Sequence, residues 1–185
     1  QPLVVLLPDS VRYNSHKRTH MDSEALLFPE SESSEKKGHP NRQQPGTWRI
    51  LIVDDDEQIH RVTQLVLNRI QFDGRPLELI SAYSAKEAKG ILEAQPDIAL
   101  ALIDVVMETD HAGLNLVNWI RLDLGNRQIR LVLRTGQPGQ APESNVIEQY
   151  DINDYRDKTE LTQTKMKTLI YASLRAYRDI TEATR

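Results

Sequence analysis

An α/β doubly wound fold, with a parallel sheet covered by helices on both faces, is what the sequence predicts, and three observations predict it. Short continuous apolar runs, Ile50-Leu51-Ile52-Val53 and residues 98–103 among them, are the mark of strands buried on both sides. Segments with apolar residues at helical spacing alternate with those runs, as in repeated strand and helix units. The 185 residues suit one domain with tail to spare.

The elements follow in order. Residues 29–47 contain no aliphatic side chain, so nothing there offsets the entropy of ordering; the expectation is a disordered lead-in over 1–47, a folded domain over 48–180 and a tail over 181–185. The first strand begins at Trp48 and ends in Asp54, Asp55 and Asp56. A helix over 57–70 carries Ile59, Val62, Val66 and Ile70 on one face. After the turn Asp73-Gly74-Arg75-Pro76, residues 77–82 make the second strand. Ser84 is an N-cap for a helix over 85–94, and the third strand, 98–103, stops at Asp104.

A third helix follows Gly113 with Val117, Ile120 and Leu124 on one face, and Gly125 closes it. Residues 129–133 form the fourth strand. Pro142 suits the first position of a short helix bearing Val146, Ile147 and Tyr150. Residues 152–155 form the fifth strand, and a last helix over 160–177 buries Met166, Leu169, Ile170, Leu174 and Tyr177.

Composition narrows the function. The 23 Lys and Arg against 27 Asp and Glu leave a net charge of −4, which gives no basic surface for nucleic acid. Absence of cysteine removes disulfides and thiol chemistry and fits a reducing, cytoplasmic setting. The apolar run Leu3-Val4-Val5-Leu6-Leu7 is far short of the roughly 20 residues that cross a bilayer, so no membrane insertion is expected.

In open parallel sheets, ligands bind beyond the carboxyl ends of the strands. Those positions hold Asp54 and Asp55 after the first strand, Asp104 after the third, Thr135 after the fourth and Lys158 after the fifth. Phosphoryl transfer to a carboxylate needs this set. Acids hold a divalent cation through hard oxygen ligands, and a cation and a hydroxyl orient and neutralise the phosphoryl oxygens.

Four segments, Ile50-Leu51-Ile52-Val53-Asp54-Asp55-Asp56, Leu102-Ile103-Asp104-Val105-Val106-Met107, Leu131-Val132-Leu133-Arg134-Thr135-Gly136 and Asp154-Tyr155-Arg156-Asp157-Lys158, resemble the receiver domain of two-component response regulators. The resemblance covers about 130 residues. It implies a flavodoxin-like (βα)5 three-layer sandwich with strand order 2-1-3-4-5. It implies that Asp104 is the phosphoacceptor, that Asp54, Asp55, Asp104 and the Val106 carbonyl hold Mg2+, and that Lys158 contacts the phosphoryl group. Thr135 and Tyr155 become a switch pair acting on the surface of the fourth helix, fifth strand and fifth helix, a surface through which such domains also form homodimers. The implied donor is a sensor histidine kinase, a phosphotransfer protein or a small phosphodonor. The domain is then a signalling module rather than an enzyme, active at most in self-phosphorylation and autodephosphorylation. Segments such as Asp110-His111-Ala112-Gly113-Leu114 resemble receivers at the front of larger cyclic-di-GMP-related regulators.

The sequence departs from the family at three points. Val106 is apolar where a side chain often steers the hydrolytic water, which predicts a long-lived phosphoryl group. Glu108 and Thr159 stand where prolines are common. Two other functions compete: a haloacid-dehalogenase-like phosphohydrolase with Asp54 as nucleophile, which leaves Asp104 without a role, and a degenerate receiver that only docks. The segment Arg134-Thr135-Gly136-Gln137-Pro138-Gly139-Gln140 lacks the ending of a phosphate-binding P-loop and reads as a flexible loop. The histidines His16, His20, His39, His60 and His111 show no metal-ligand spacing and receive no role.

Overall fold

In the computed structural model, which describes residues 46–136, 143–158 and 162–184, β1 (Trp48–Val53) runs through the centre of the sheet. Its four aliphatic residues are wholly buried, as the unbroken apolar run requires. It pairs in parallel with β3 (Arg75–Ala82) on one side and with β4 (Leu100–Asp104) on the other. Beyond β4 lie β5 (Arg130–Thr135) and β6 (Asp154–Asp157), also parallel. A two-residue β2 (Gln71–Phe72) adds antiparallel to β3, giving the order β2-β3-β1-β4-β5-β6. Without β2, the five parallel strands have the doubly wound order 2-1-3-4-5.

The hairpin β2–β3 corrects the sequence reading. Asp73 and Gly74 alone make the turn, at φ 50° and 70°, the paired left-handed conformations that two-residue hairpin turns demand. Arg75 and Pro76 already belong to the strand, and Pro76 is tolerated because β3 has only this short partner on its outer side.

Strand alternation sorts the side chains into two cores. Leu51, Val53, Ala101, Ile103, Leu131 and Leu133 face α2 (Ala85–Ala94), α3 (Ala112–Asn118) and α4 (Glu143–Tyr150). Ile50, Leu100, Leu102 and Val132 face α1 (Glu57–Leu67) and α5 (Gln163–Ala183). Asp56 caps α1, its carboxylate accepting from Gln58 N at 2.8 Å, and Ser84 caps α2, accepting from Glu87 N at 3.2 Å; both caps are legible in the sequence.

Three helices, α1, α3 and α5, differ from expectation. α1 ends at Leu67, and it buries His60, Thr63 and Leu67 while Val62 is 58% exposed and Leu65 79%. Its inner face is partly polar because it abuts the charged end of the sheet. α3 begins at Ala112, before Gly113, and widens into a π-helical turn, Trp119–Asp123, before Gly125 at φ 69° closes it. α4 spans Glu143–Tyr150; Pro142 and the loop before it lie outside the described residues, as do residues 1–45 of the expected lead-in and Thr159. α5 starts at Gln163, where Thr162 Oγ1 accepts from Lys165 N at 3.4 Å, and runs to Ala183, into the first positions expected as a tail.

β6 also begins two residues late. Asn153 occupies the preceding step by bonding Leu131 twice, N to O at 2.8 Å and Leu131 N to Asn153 Oδ1 at 2.7 Å. Among the described residues no helix is long and apolar enough to cross a membrane.

Candidate functional site

Asp54, Asp104 and Arg134 stand side by side at the carboxyl ends of β1, β4 and β5, and all three share the face of Ile52, Leu102 and Val132. Lys158 enters from the end of β6. This is where the strand order reverses around β1 and where a doubly wound sheet opens a crevice.

The structure brings the three predicted metal-ligating carboxylates together. One oxygen from each of Asp54, Asp55 and Asp104 lies within 4.8 Å of the others. Asp54 and Asp104 are buried, at 0% and 3% exposure, and Asp55 is exposed. The cluster therefore opens to solvent on the Asp55 side. A set of oxygen donors alone, two of them buried, suits a hard divalent cation. The half-buried Val106 follows Asp104 by two residues, and its backbone N–H donates to the Asp104 carboxylate.

Lys158 Nζ donates to Asp104 Oδ2 at 2.7 Å and forms an ion pair with Asp54 Oδ2 at 3.0 Å. Burial pushes the Asp104 carboxyl above its usual range and outweighs the opposing bond from Lys158. For Lys158 burial disfavours the charge, but the two carboxylates together hold its pKa above the ordinary lysine value. The carboxylates and the ammonium thus sit in a site of low dielectric, where charge has large effects.

Thr135 is buried at the end of β5 and Tyr155 half-buried in β6. In register Leu133 pairs with Tyr155, so Tyr155 faces the same layer as Leu133 and Thr135. Val105, Val106, Leu114, Thr135, Val146 and Tyr155 line one cleft of about 200 Å³ between the β4–α3 loop and α4. The cleft gives the aromatic ring room beside the hydroxyl.

Backbone contacts hold the Asp104 end. Gly113 N donates to Val105 O at 3.0 Å, and a Cβ on Gly113 would stand 1.9 Å from Asp104 O. Glu108, in place of the expected proline, accepts from Ala85 N at 2.9 Å and ties this loop to the start of α2.

Two residues near the site escaped the sequence reading. His60 is 1% exposed, with Nε2 2.7 Å from Asp54 O and Nδ1 3.0 Å from Ser81 Oγ. A carbonyl only accepts, so Nε2 carries the proton, and the ring fastens the start of the Asp54-Asp55-Asp56 turn. Arg134 belongs to β5 rather than to a flexible loop and is 1% exposed. A charged residue closing an apolar strand was the available signal.

No protein-family profile matches the chain. Solved structures do match its fold. The signal receiver domain of an HD domain-containing protein from Pseudomonas fluorescens Pf-5 superposes with a TM-score of 0.63 at 20% identity, over 74% of this chain and 93% of that one. The N-terminal domain of a response regulator/sensory box/GGDEF 3-domain protein from Carboxydothermus hydrogenoformans gives 0.57 at 20% identity, over 72% and 98%. The chain has the fold of a response-regulator receiver domain. In sequence it is similar to the 3'3'-cGAMP-specific phosphodiesterase 2 of Vibrio cholerae, 54% identical over 160 residues, 86% of this chain and 30% of that protein. The chain spans less than a third of the curated relative it matches.

Proposed function

We propose that this domain accepts a phosphoryl group on Asp104 from a sensor histidine kinase, a phosphotransfer protein or a small acyl phosphate. The observation that carries this reading is the arrangement around one carboxylate: Asp104 Oδ2 lies 2.7 Å from Lys158 Nζ, with Asp54 and Asp55 oxygens within 4.8 Å. An Asp104 oxygen forms the new bond to phosphorus, the bond from phosphorus to the donor breaks, and the donor leaves with the electron pair. Lys158 turns its charge from the carboxylates to the transferred oxygens. Asp54, Asp55, Asp104 and the Val106 carbonyl would hold Mg2+, which supplies neutralising charge between an anionic nucleophile and an anionic donor.

Thr135 and Tyr155 carry the output in this reading. The hydroxyl turns to the phosphoryl group, the ring moves within their shared cleft, and the surface of α4, β6 and α5 changes. Phosphorylation shifts that equilibrium only by contacts that differ between the two states. The 54% identity to a phosphodiesterase of which the chain spans 30% supports a further step: the receiver is the regulatory front of a cyclic-dinucleotide phosphodiesterase, and a catalytic region elsewhere reads its state.

Peptide mapping after acetyl phosphate treatment with Mg2+ tests the assignment. Label is expected on Asp104 and is lost in Asp104→Asn. Label on Asp54 would mean the dehalogenase-like alternative, and no label in the wild-type protein would mean a docking-only domain.

A further inference from the structure

Arg134 carries a charge that the phosphoryl chemistry above leaves unused. It pairs in register with Asp104, and its side chain runs under the acidic cluster toward α1. Nη1 donates to Thr63 Oγ1 at 3.2 Å, and Nη2 stands 3.6 Å from Asp54 Oδ2. Nε and Nη2 make no hydrogen bond among the described residues. Together with Thr63, Val66, Lys158 and Met166 the guanidinium lines a narrow cleft of about 50 Å³.

Stability does not explain such a residue. Burying a cation without full pairing costs more than an apolar side chain of similar volume in the same place. Burial lowers the Arg134 pKa while Asp54 and Asp104 act the other way, and guanidinium keeps its proton in protein interiors. A fixed positive charge therefore lies behind Asp54.

We propose that Arg134 is a positioning residue, a second cation of the phosphoryl site that holds Asp54 from beneath when Lys158 turns to the phosphoryl group. The inference rests on the phosphoacceptor reading of Asp104. At present Lys158 serves both Asp104 and Asp54. Once it swings away, Asp54 Oδ2 loses that ion pair, and the unused Arg134 Nη2 stands 3.6 Å from it.

Charge balance gives the idea a distinctive sign. In the resting site three carboxylates face two cations, so a bound divalent ion leaves an excess of positive charge that Arg134 increases. A phosphoryl group carries roughly two negative charges where the carboxylate carried one, and with Arg134 present the loaded site comes to neutrality. Without Arg134 the same site keeps a buried negative charge. Arg134 thus weakens the metal-only state and strengthens the phosphorylated one.

The experiment measures two affinities on the 185-residue chain by calorimetry: Mg2+ alone, and beryllofluoride at saturating Mg2+. In Arg134→Met, Mg2+ is expected to bind several-fold tighter and beryllofluoride about tenfold weaker, the size expected for one charge at this range in a partly buried site. Arg134→Gln, also neutral, gives the same pair of readings if the methionine variant does not fold. Arg134→Lys keeps the charge and stays near wild type in both. A general disturbance of the site weakens both affinities together; that result, or no change in either, overturns the proposal. If the wild-type chain binds no beryllofluoride and takes no label on Asp104, the phosphoacceptor reading falls first and this one with it. Changes confined to the Arg134 variants leave that reading intact.

Discussion

At the amino end of the sheet, Trp48 Nε1 donates to Phe72 O at 2.8 Å and the Arg75 guanidinium lies 3.9 Å over the indole. Arg49 and Arg178 pair there with Glu78, Asp97 and Asp73 at the protein surface. At the carboxyl end acids and bases, Asp54, Asp104, Arg134 and Lys158, lie buried or nearly so, and two Arg134 nitrogens make no hydrogen bond among the described residues. One end satisfies its polar groups and seals the core. The other keeps buried charge in surplus, which weakens the fold and leaves groups ready for a ligand. The lesson is that ion pairs reveal function by their burial and incompleteness rather than by their number.

The largest effect that could break this contrast comes from Trp48→Ala. Loss of the anchor is expected to cost about 4 kcal/mol in urea unfolding while Mg2+-dependent beryllofluoride affinity stays as in wild type. A changed affinity would show that the two ends are not independent. Gly113→Ala strikes the other end. The added carbon meets Asp104 and Val105 backbone, so the variant is expected to lose about 3 kcal/mol and, unlike Trp48→Ala, to lose labelling at Asp104 as well.

Titration of stability separates the ends next. The folded Asp104 carboxyl has a raised pKa from burial, so the metal-free folded state binds this proton more tightly than the unfolded chain does. Its contribution therefore favours folding increasingly as pH falls through the raised pKa toward the usual carboxylate range, and it is unfavourable at neutral pH. Asp104→Asn is expected to be more stable than wild type at neutral pH, with the difference shrinking on acidification; thermal melts across pH check the slope. The smallest effect belongs to Arg178→Ala. Its pairs with Asp73 and Asp179 are solvent-exposed, and no measurable shift in melting temperature is expected.

Much of this was legible because strand ends are easy to find. The runs 50–53 and 98–103 mark buried strands, so Asp54 and Asp104 declare themselves, and Lys158 follows from the last strand. Hydropathy pattern, however, reads burial in an apolar core. It assigned Val62 to the inside of α1, while the polar His60 and Thr63 are the residues that turn inward because their partners are Asp54 and Arg134. The same blindness assigned Arg134 to a loop. The two-residue β2 was too short for any periodicity, and its turn left only Asp73-Gly74 as a trace.

The hairpin has a consequence for self-association. β2 covers the start of β3 on one rim of the sheet, Pro76 withholds a backbone donor there, and the opposite rim, β6, has only four residues, three of them charged. The β6 rim is thus too short to template a second chain, whereas the outer edge of β3 beyond Pro76 has no strand partner among the described residues. Any strand added edge to edge would therefore extend the sheet at β3, on the rim opposite β6.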